Sequence, residues 1–237
     1  MFFIYPLQTR ESFDFQKHSI HHISHELKTP LAVLLSDLER LTYKNDLNEI
    51  KTSLEEQIIL VKFLGDTINA LLQISKIETG QSSDFQLLRI DEVLFDKIYE
   101  INKISPEFNF EIQFEPKEIT EEKLLVKGNE TLLKQVLSNL LVNAGNYSDN
   151  QKAEITIDCT VENEVRIIIF NSGKSLTENE QKHLFTHFFR GGNSQGKNGF
   201  GLGLALTQRI LKLHNGEITY HSPDLNSNFF TIHLKNI

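Results

Sequence analysis

The chain has 237 residues, with 24 Lys and Arg against 32 Asp and Glu, for a net charge of −8. That length suits one or two domains with a sizeable core. The acidic balance excludes nucleic acid and an anionic membrane surface as the main partner. A single cysteine, Cys159, excludes an internal disulfide and points to a reducing cytoplasm.

At the N-terminus, Met1 to Leu7 is apolar but far shorter than the about 20 residues that span a bilayer, and it lacks the basic start of a signal peptide. Residues 10–43 then read as one long helix. Ile20, Leu27, Leu34 and Leu41 recur every seven residues, and Ile23, Leu31 and Leu38 fill a second seam. With Ile20 and Leu27 at a positions, His25 falls at f and faces away from the apolar stripe. An imidazole with its ordinary pKa, about 6.5, keeps a nucleophilic lone pair near neutral pH. Glu26 can hold one ring N–H and fix the tautomer that exposes the other nitrogen. Thr29 lies one turn along the same face, and Pro30 predicts a kink just after the histidine.

His18, His21, His22 and His25 have a spacing that can gather imidazoles around a metal, but no Cys or Asp accompanies them. Solvated histidines beside a reactive one are the better reading. Tyr43 to Asp46 is polar and reads as a turn. A second helix follows, with Leu47, Leu54, Val61 and Ile68 in one seam and Ile50, Gln57, Leu64 and Leu71 in the other, ending near Gly80. One hairpin cannot bury two apolar stripes from both helices. Pairing of two chains into a dimeric four-helix bundle is therefore expected.

Gly80 to Asp84 is small and polar, and the hydrophobic period changes after it. The predicted domains are a helical hairpin over 10–80 and an α/β sandwich over 85–237, an α+β architecture overall. In the second domain, Phe108–Phe114, Glu154–Val161 and Val165–Phe170 read as strands and Thr131–Asn143 as a helix. A helix over 202–214 and strands over 216–221 and 229–234 close the chain.

Two motifs there suit a nucleotide. Asn139 and Asn143 stand four apart, one above the other on a helix face, and each offers an oxygen to a hard cation such as Mg²⁺ or a hydrogen bond to phosphate. Gly199, Gly201 and Gly203 supply unobstructed N–H groups where a helix begins, a favourable site for phosphate. Gly191 to Lys197 fits the spacing of a phosphate-binding P-loop, but Asn198 follows where Ser or Thr must hold Mg²⁺. The preceding residues 181–190 read as helix and aromatic anchor instead of a buried strand. A flexible lid over a nucleotide suits this glycine-rich stretch better.

Ser24-His25-Glu26-Leu27-Lys28-Thr29-Pro30-Leu31 matches in full the H-box of sensor histidine kinases of two-component systems. Downstream, Asn139 and Asn143 resemble the N-box, Phe185 to Arg190 the F-box, and Gly199 to Leu204 the second glycine box of the ATP-binding domain shared by histidine kinases, gyrase and mismatch-repair ATPases. The resemblance implies a dimerisation and phosphotransfer hairpin followed by a sandwich of the Bergerat type that binds ATP and Mg²⁺. It further implies His25 as phosphoacceptor, Glu26 as its base or orienting acid, and Thr29 as the residue that positions water when the partner is dephosphorylated. Asn143 would hold Mg²⁺ and Tyr147 would stack on adenine. The implied partner is the receiver domain of a response regulator. The implied assembly is a homodimer, as a soluble kinase or as the cytosolic part of a membrane sensor.

The first glycine box departs from the family pattern of Asp-x-Gly-x-Gly. Here it reads Asn171-Ser172-Gly173-Lys174-Ser175. An Asn oxygen can still accept a hydrogen bond from the adenine amino group, whereas Ser175 reduces loop freedom. Asn146 stands where many relatives have Lys, and Arg190 or Lys197 is the candidate replacement charge. These changes motivate an alternative expectation, a catalytically weak scaffold acting mainly as a response-regulator phosphatase.

Overall fold

The computed structural model describes residues 28, 31–43, 46–78, 85–186, 189–194 and 201–237. His25, Glu26 and Thr29, the linker around Gly80, and Lys197 and Gly199 lie outside these residues. The chain divides into two compact units, Met1–Ser83 and Asp84–Ile237.

In the first unit, helix α1 (residues 31–41) and helix α2 (Leu47–Glu78) flank a turn. Asp46 starts α2, its carboxylate accepting the Asn48 and Glu49 N–H groups at 2.8 and 3.1 Å. Leu41, Leu60 and Leu64 are buried, and so is Gln57, which donates to Asp37 of α1 at 3.2 Å. The other seam is open: Leu31, Leu35 and Leu38 on α1 and Leu47, Leu54, Ile58 and Val61 on α2 are all exposed.

The second unit is a two-layer sandwich. Its five-stranded sheet has the order β2-β4-β5-β7-β6, formed by β2 (Asn109–Glu115), β4 (Lys152–Asp158), β5 (Glu164–Ser172), β6 (Glu217–His221) and β7 (Ser227–Lys235). Only β2 and β4 run parallel; the remaining pairs are antiparallel. A parallel pair needs a long crossover, and helix α4 (Glu130–Tyr147) supplies it. Strands β1 (Gln86–Arg89) and β3 (Leu125–Gly128) form a separate antiparallel ribbon. Helices α3 (Ile90–Ile104), α4 and α6 (Gly203–Leu213) make the second layer, α4 lying on β4 and β5 and α6 on β6.

Strict alternation explains why one sheet face is covered. Val165, Ile167 and Ile169 of β5 and Phe230, Ile232 and Leu234 of β7 point inward with Ile155 and Ile157 of β4. Against them sit Leu133, Val136, Leu137, Leu140 and Leu141 of α4, all nearly free of solvent contact. The start of α4 is fixed twice. The Asn129 side chain accepts the Leu132 N–H at 3.0 Å, and the Asn129 N–H donates to His214 Nε2, also at 3.0 Å. The opposite ring nitrogen of His214 donates to the Ile210 carbonyl at 2.7 Å. Burial lowers the His214 pKa, with the Ile210 carbonyl opposing.

Residues 181–190 differ from the helical expectation. Helix α5 covers only Glu178–Gln181, and the chain then runs on through tight turns closed by His183 N–H to Glu180 O and Thr186 N–H to His183 O. The Thr186 hydroxyl also donates to His183 O at 2.6 Å, offering that carbonyl a local partner in place of a helical one.

Candidate nucleotide site

The site is assembled where α4 ends, β5 ends and α6 begins. On α4 the two asparagines separate in role. Asn139 donates to Gly203 O at 3.0 Å and to Thr207 Oγ1 at 3.3 Å, and accepts from Gln135 at 3.1 Å. Its carboxamide therefore braces the first turn of α6. One turn on, Asn143 is half-buried and its carboxamide has no hydrogen-bond partner among the described residues.

Tyr147 closes α4. Burial raises its phenol pKa, while the positive charge of Arg190 pulls the other way. The Tyr147 carbonyl meets Gly173 so tightly that a Cβ on Gly173 would sit 2.1 Å from the oxygen, and Gly173 has φ +142°. Only glycine fits there.

The period-2 pattern of β5 carries Asn171 to the inward face after Val165, Ile167 and Ile169, and it is 2% exposed. Its register partner on β7 is Asn228, also buried. The Asn171 amide donates to Ser172 O at 3.1 Å, so its oxygen is the group available to accept. Asn228 donates to Gly173 O at 2.7 Å and accepts from the Tyr220 hydroxyl at 2.7 Å, and that hydroxyl accepts the Leu176 N–H at 3.3 Å. Ser175, the departure from the glycine pattern, is absorbed by bonds to the β6–β7 connection: its N–H reaches Leu225 O at 2.9 Å and its hydroxyl Ser227 O at 3.2 Å.

The residues after α5 return to this turn. Glu180 accepts the Gly192 N–H at 2.6 Å, Asn193 donates to Lys174 O at 3.0 Å, and Arg190 donates to Ser194 O at 2.9 Å. Gly201 has φ +69° and leads into α6, whose first turn carries no acidic side chain and no side-chain cap. The first N–H groups of an uncapped helix favour an anion.

The structure thus brings together Asn139 with Gly203, Tyr147 with Gly173, and Asn171 with the Gly173 turn. Asn228, Tyr220 and Glu180 are site residues that motif reading misses. For Asn228 a signal existed: it is the polar residue at an inward position of an otherwise apolar alternation. Among the described residues no group of three or more His, Cys, Asp or Glu could hold a metal, and no helix is long and apolar enough to cross a membrane.

Comparison with known proteins agrees with this geometry. Residues 128–236 match the histidine kinase-, DNA gyrase B-, and HSP90-like ATPase family. The heme sensor protein HssS of Staphylococcus epidermidis is 31% identical over 215 residues, covering 88% of this chain and 45% of that protein. HssS of Staphylococcus saprophyticus is 29% identical over 234 residues, covering 98% of this chain and 49% of that protein. The chain therefore spans about half the length of the curated relatives it matches. Among solved structures, the catalytic domain of histidine kinase ThkA aligns with a TM-score of 0.52 at 26% identity, over 64% of this chain and 95% of that one. The Acinetobacter baumannii histidine kinase AdeS shares the fold, with a TM-score of 0.63 at 22% identity over 90% of this chain and 98% of that one.

The site and the two-layer sheet thus define an ATPase domain of the histidine kinase, gyrase B and HSP90 class. Residues 128–236 belong to that family, and the chain is similar to sensor proteins and to histidine kinases over the regions given above.

Proposed function

We propose that this chain is an ATP-dependent protein histidine kinase that phosphorylates its own His25 and passes the phosphoryl group to an aspartate on the receiver domain of a response regulator. The observation that carries the reading is Asn143. Its half-buried carboxamide has no partner among the described residues, one turn from Tyr147, while its sister Asn139 is fully used in bracing α6. A half-buried carboxamide without a protein partner is open to a ligand.

The residues fit ATP and Mg²⁺. Asn143 would hold the ion, Asn171 would accept from the adenine amino group, Tyr147 would flank the base, and the N–H groups at the start of α6 would receive phosphate. Mg²⁺, when bound, supplies charge that offsets the phosphate oxygens. Glu26 holds one ring N–H of His25, leaving the other nitrogen to attack the γ-phosphorus in line. A P–N bond forms as the bond to the bridging oxygen breaks, and ADP leaves. The linker near Gly80 acts as the hinge that lets the two domains meet.

The exposed seam of Leu35, Leu38, Leu54, Ile58 and Val61 supports a homodimer, because a second hairpin is the economical cover for it. Dependence on ATP and a receiver domain assigns the chemistry to the cytoplasm. Incubation with γ-labelled ATP and Mg²⁺ tests the proposal. The expected label is acid-labile and base-stable, and it disappears in His25→Ala while nucleotide binding remains. Label retained in His25→Ala refutes the assignment.

A further inference from the structure

Glu180 belongs to no motif that defines the site, yet its carboxylate has an unusual set of partners. As the third residue of α5 it completes a capping box, one oxygen accepting the Thr177 N–H at 2.8 Å and the Thr177 hydroxyl at 2.7 Å. A capping box needs only that oxygen. The other oxygen reaches 12 residues along the chain and accepts the Gly192 N–H at 2.6 Å. These three donors hold the Glu180 pKa below the usual carboxylate range, the Gly192 N–H contributing most.

What that bond fastens is the stretch Arg190–Ser194. Its other ties are Asn193 to Lys174 O at 3.0 Å, and internal bonds from Ser194 N–H and Oγ to Gly191 O at 2.9 and 2.7 Å. Gly191 packs so closely that a Cβ would lie 2.4 Å from Leu176 Cδ2. Arg190 at the head of the stretch donates to Ser194 O at 2.9 Å. The turn it is fastened to, residues 173–177, is in turn fixed by Asn228 and Tyr220.

We propose that Glu180 is a positioning residue for the nucleotide: by holding the Gly192 N–H it locks Arg190–Ser194 onto the Lys174–Thr177 turn, which follows the Gly173 that packs against the Tyr147 carbonyl. The proposal rests on the ATP-binding reading of the site. A glutamine cannot replace the carboxylate fully, because its single oxygen serves either Thr177 or Gly192 and its NH₂ then faces an N–H.

The test uses the full chain with a non-hydrolysable ATP analogue and Mg²⁺, together with the KM for ATP in autophosphorylation. Glu180→Ala is expected to weaken binding about tenfold and to raise KM with kcat little changed, the scale of losing one charge-assisted hydrogen bond. Glu180→Gln falls between it and the parent. Thr177→Ala, which breaks the other arm of the capping box and spares Gly192, stays within about twofold of the parent. Binding by Glu180→Ala equal to the parent overturns the proposal. An equal loss in Thr177→Ala does so too, since Glu180 would then act only through α5. Should Glu180→Ala fail to fold, unchanged binding by Glu180→Gln overturns it. A parent chain that binds no analogue removes the ATP reading itself and the proposal with it.

Discussion

The two units of this chain solve the burial problem differently. In Asp84–Ile237 the inner face of the sheet has a partner: Ile155, Ile157, Ile167 and Ile169 lie under Leu133, Leu137, Leu140 and Leu141 of α4, and none is more than 1% exposed. Among the described residues of the helical unit one seam is closed, around Leu41, Leu60 and Leu64, while Leu47, Leu54, Ile58 and Val61 are 42–81% exposed. A sheet closes its core with helices from its own chain, whereas a two-helix hairpin has a face left over. The proposed division of labour follows, with a self-contained domain holding the phosphoryl donor and an incomplete one awaiting a second copy.

Core truncation should expose the contrast most sharply. Leu141→Ala is expected to cost the second unit about 2–5 kcal/mol, read as a lower urea midpoint. Val61→Ala should change that transition by less than about 0.5 kcal/mol. Equal effects would mean that the units do not fold as separate cores.

Next in size is the site itself. Asn143→Ala should lower Mg²⁺-dependent ATP affinity by about 10–100-fold, measured by titration calorimetry, with little change in melting temperature. Retained affinity would assign the metal to another group. On the stem, Ile58→Glu with Val61→Glu should raise the dimer dissociation constant at least about tenfold, or about 1.4 kcal/mol, in sedimentation equilibrium. A dimer that survives both charges does not use this seam.

The smallest expected effect is a pH dependence. His214 is held neutral in the fold by burial, with Nε2 accepting the Asn129 N–H, whereas the unfolded chain takes up its proton at about pH 6.5. The unfolded state therefore binds more protons just below that pH. The contribution of His214 is complete above about pH 6.5 and is lost as the pH falls. Comparing urea midpoints at neutral and mildly acidic pH, the parent should lose more stability than His214→Gln. Parallel losses would show that His214 does not titrate in this window.

Much of this organisation is readable from the residues. Strands β2, β4, β5 and β7 follow their period-2 patterns, and α4 and α6 their helical ones, because in each one face is more buried than the other. The four-residue strands β1 and β3 are too short to show a period. The site divides the same way. Asn139 and Asn143 announce themselves by residue type and spacing, whereas Asn171 and Gly173 are found only through the family resemblance. Glu180 is found by neither, because its partner is a backbone N–H 12 residues away, a group every residue but proline has. The stretch after Gln181 reads as a longer helix than it forms, since local side-chain bonds such as Thr186 to His183 O compete with the helical ladder.

The most direct test of the account is to locate the phosphate. After incubation of the protein with ATP and Mg²⁺, peptide mapping under mildly basic conditions should find a single phosphoramidate, on the peptide that contains His25, and none in Asn143→Ala. Phosphate on any other residue, or no phosphate on folded protein that binds ATP, would contradict it.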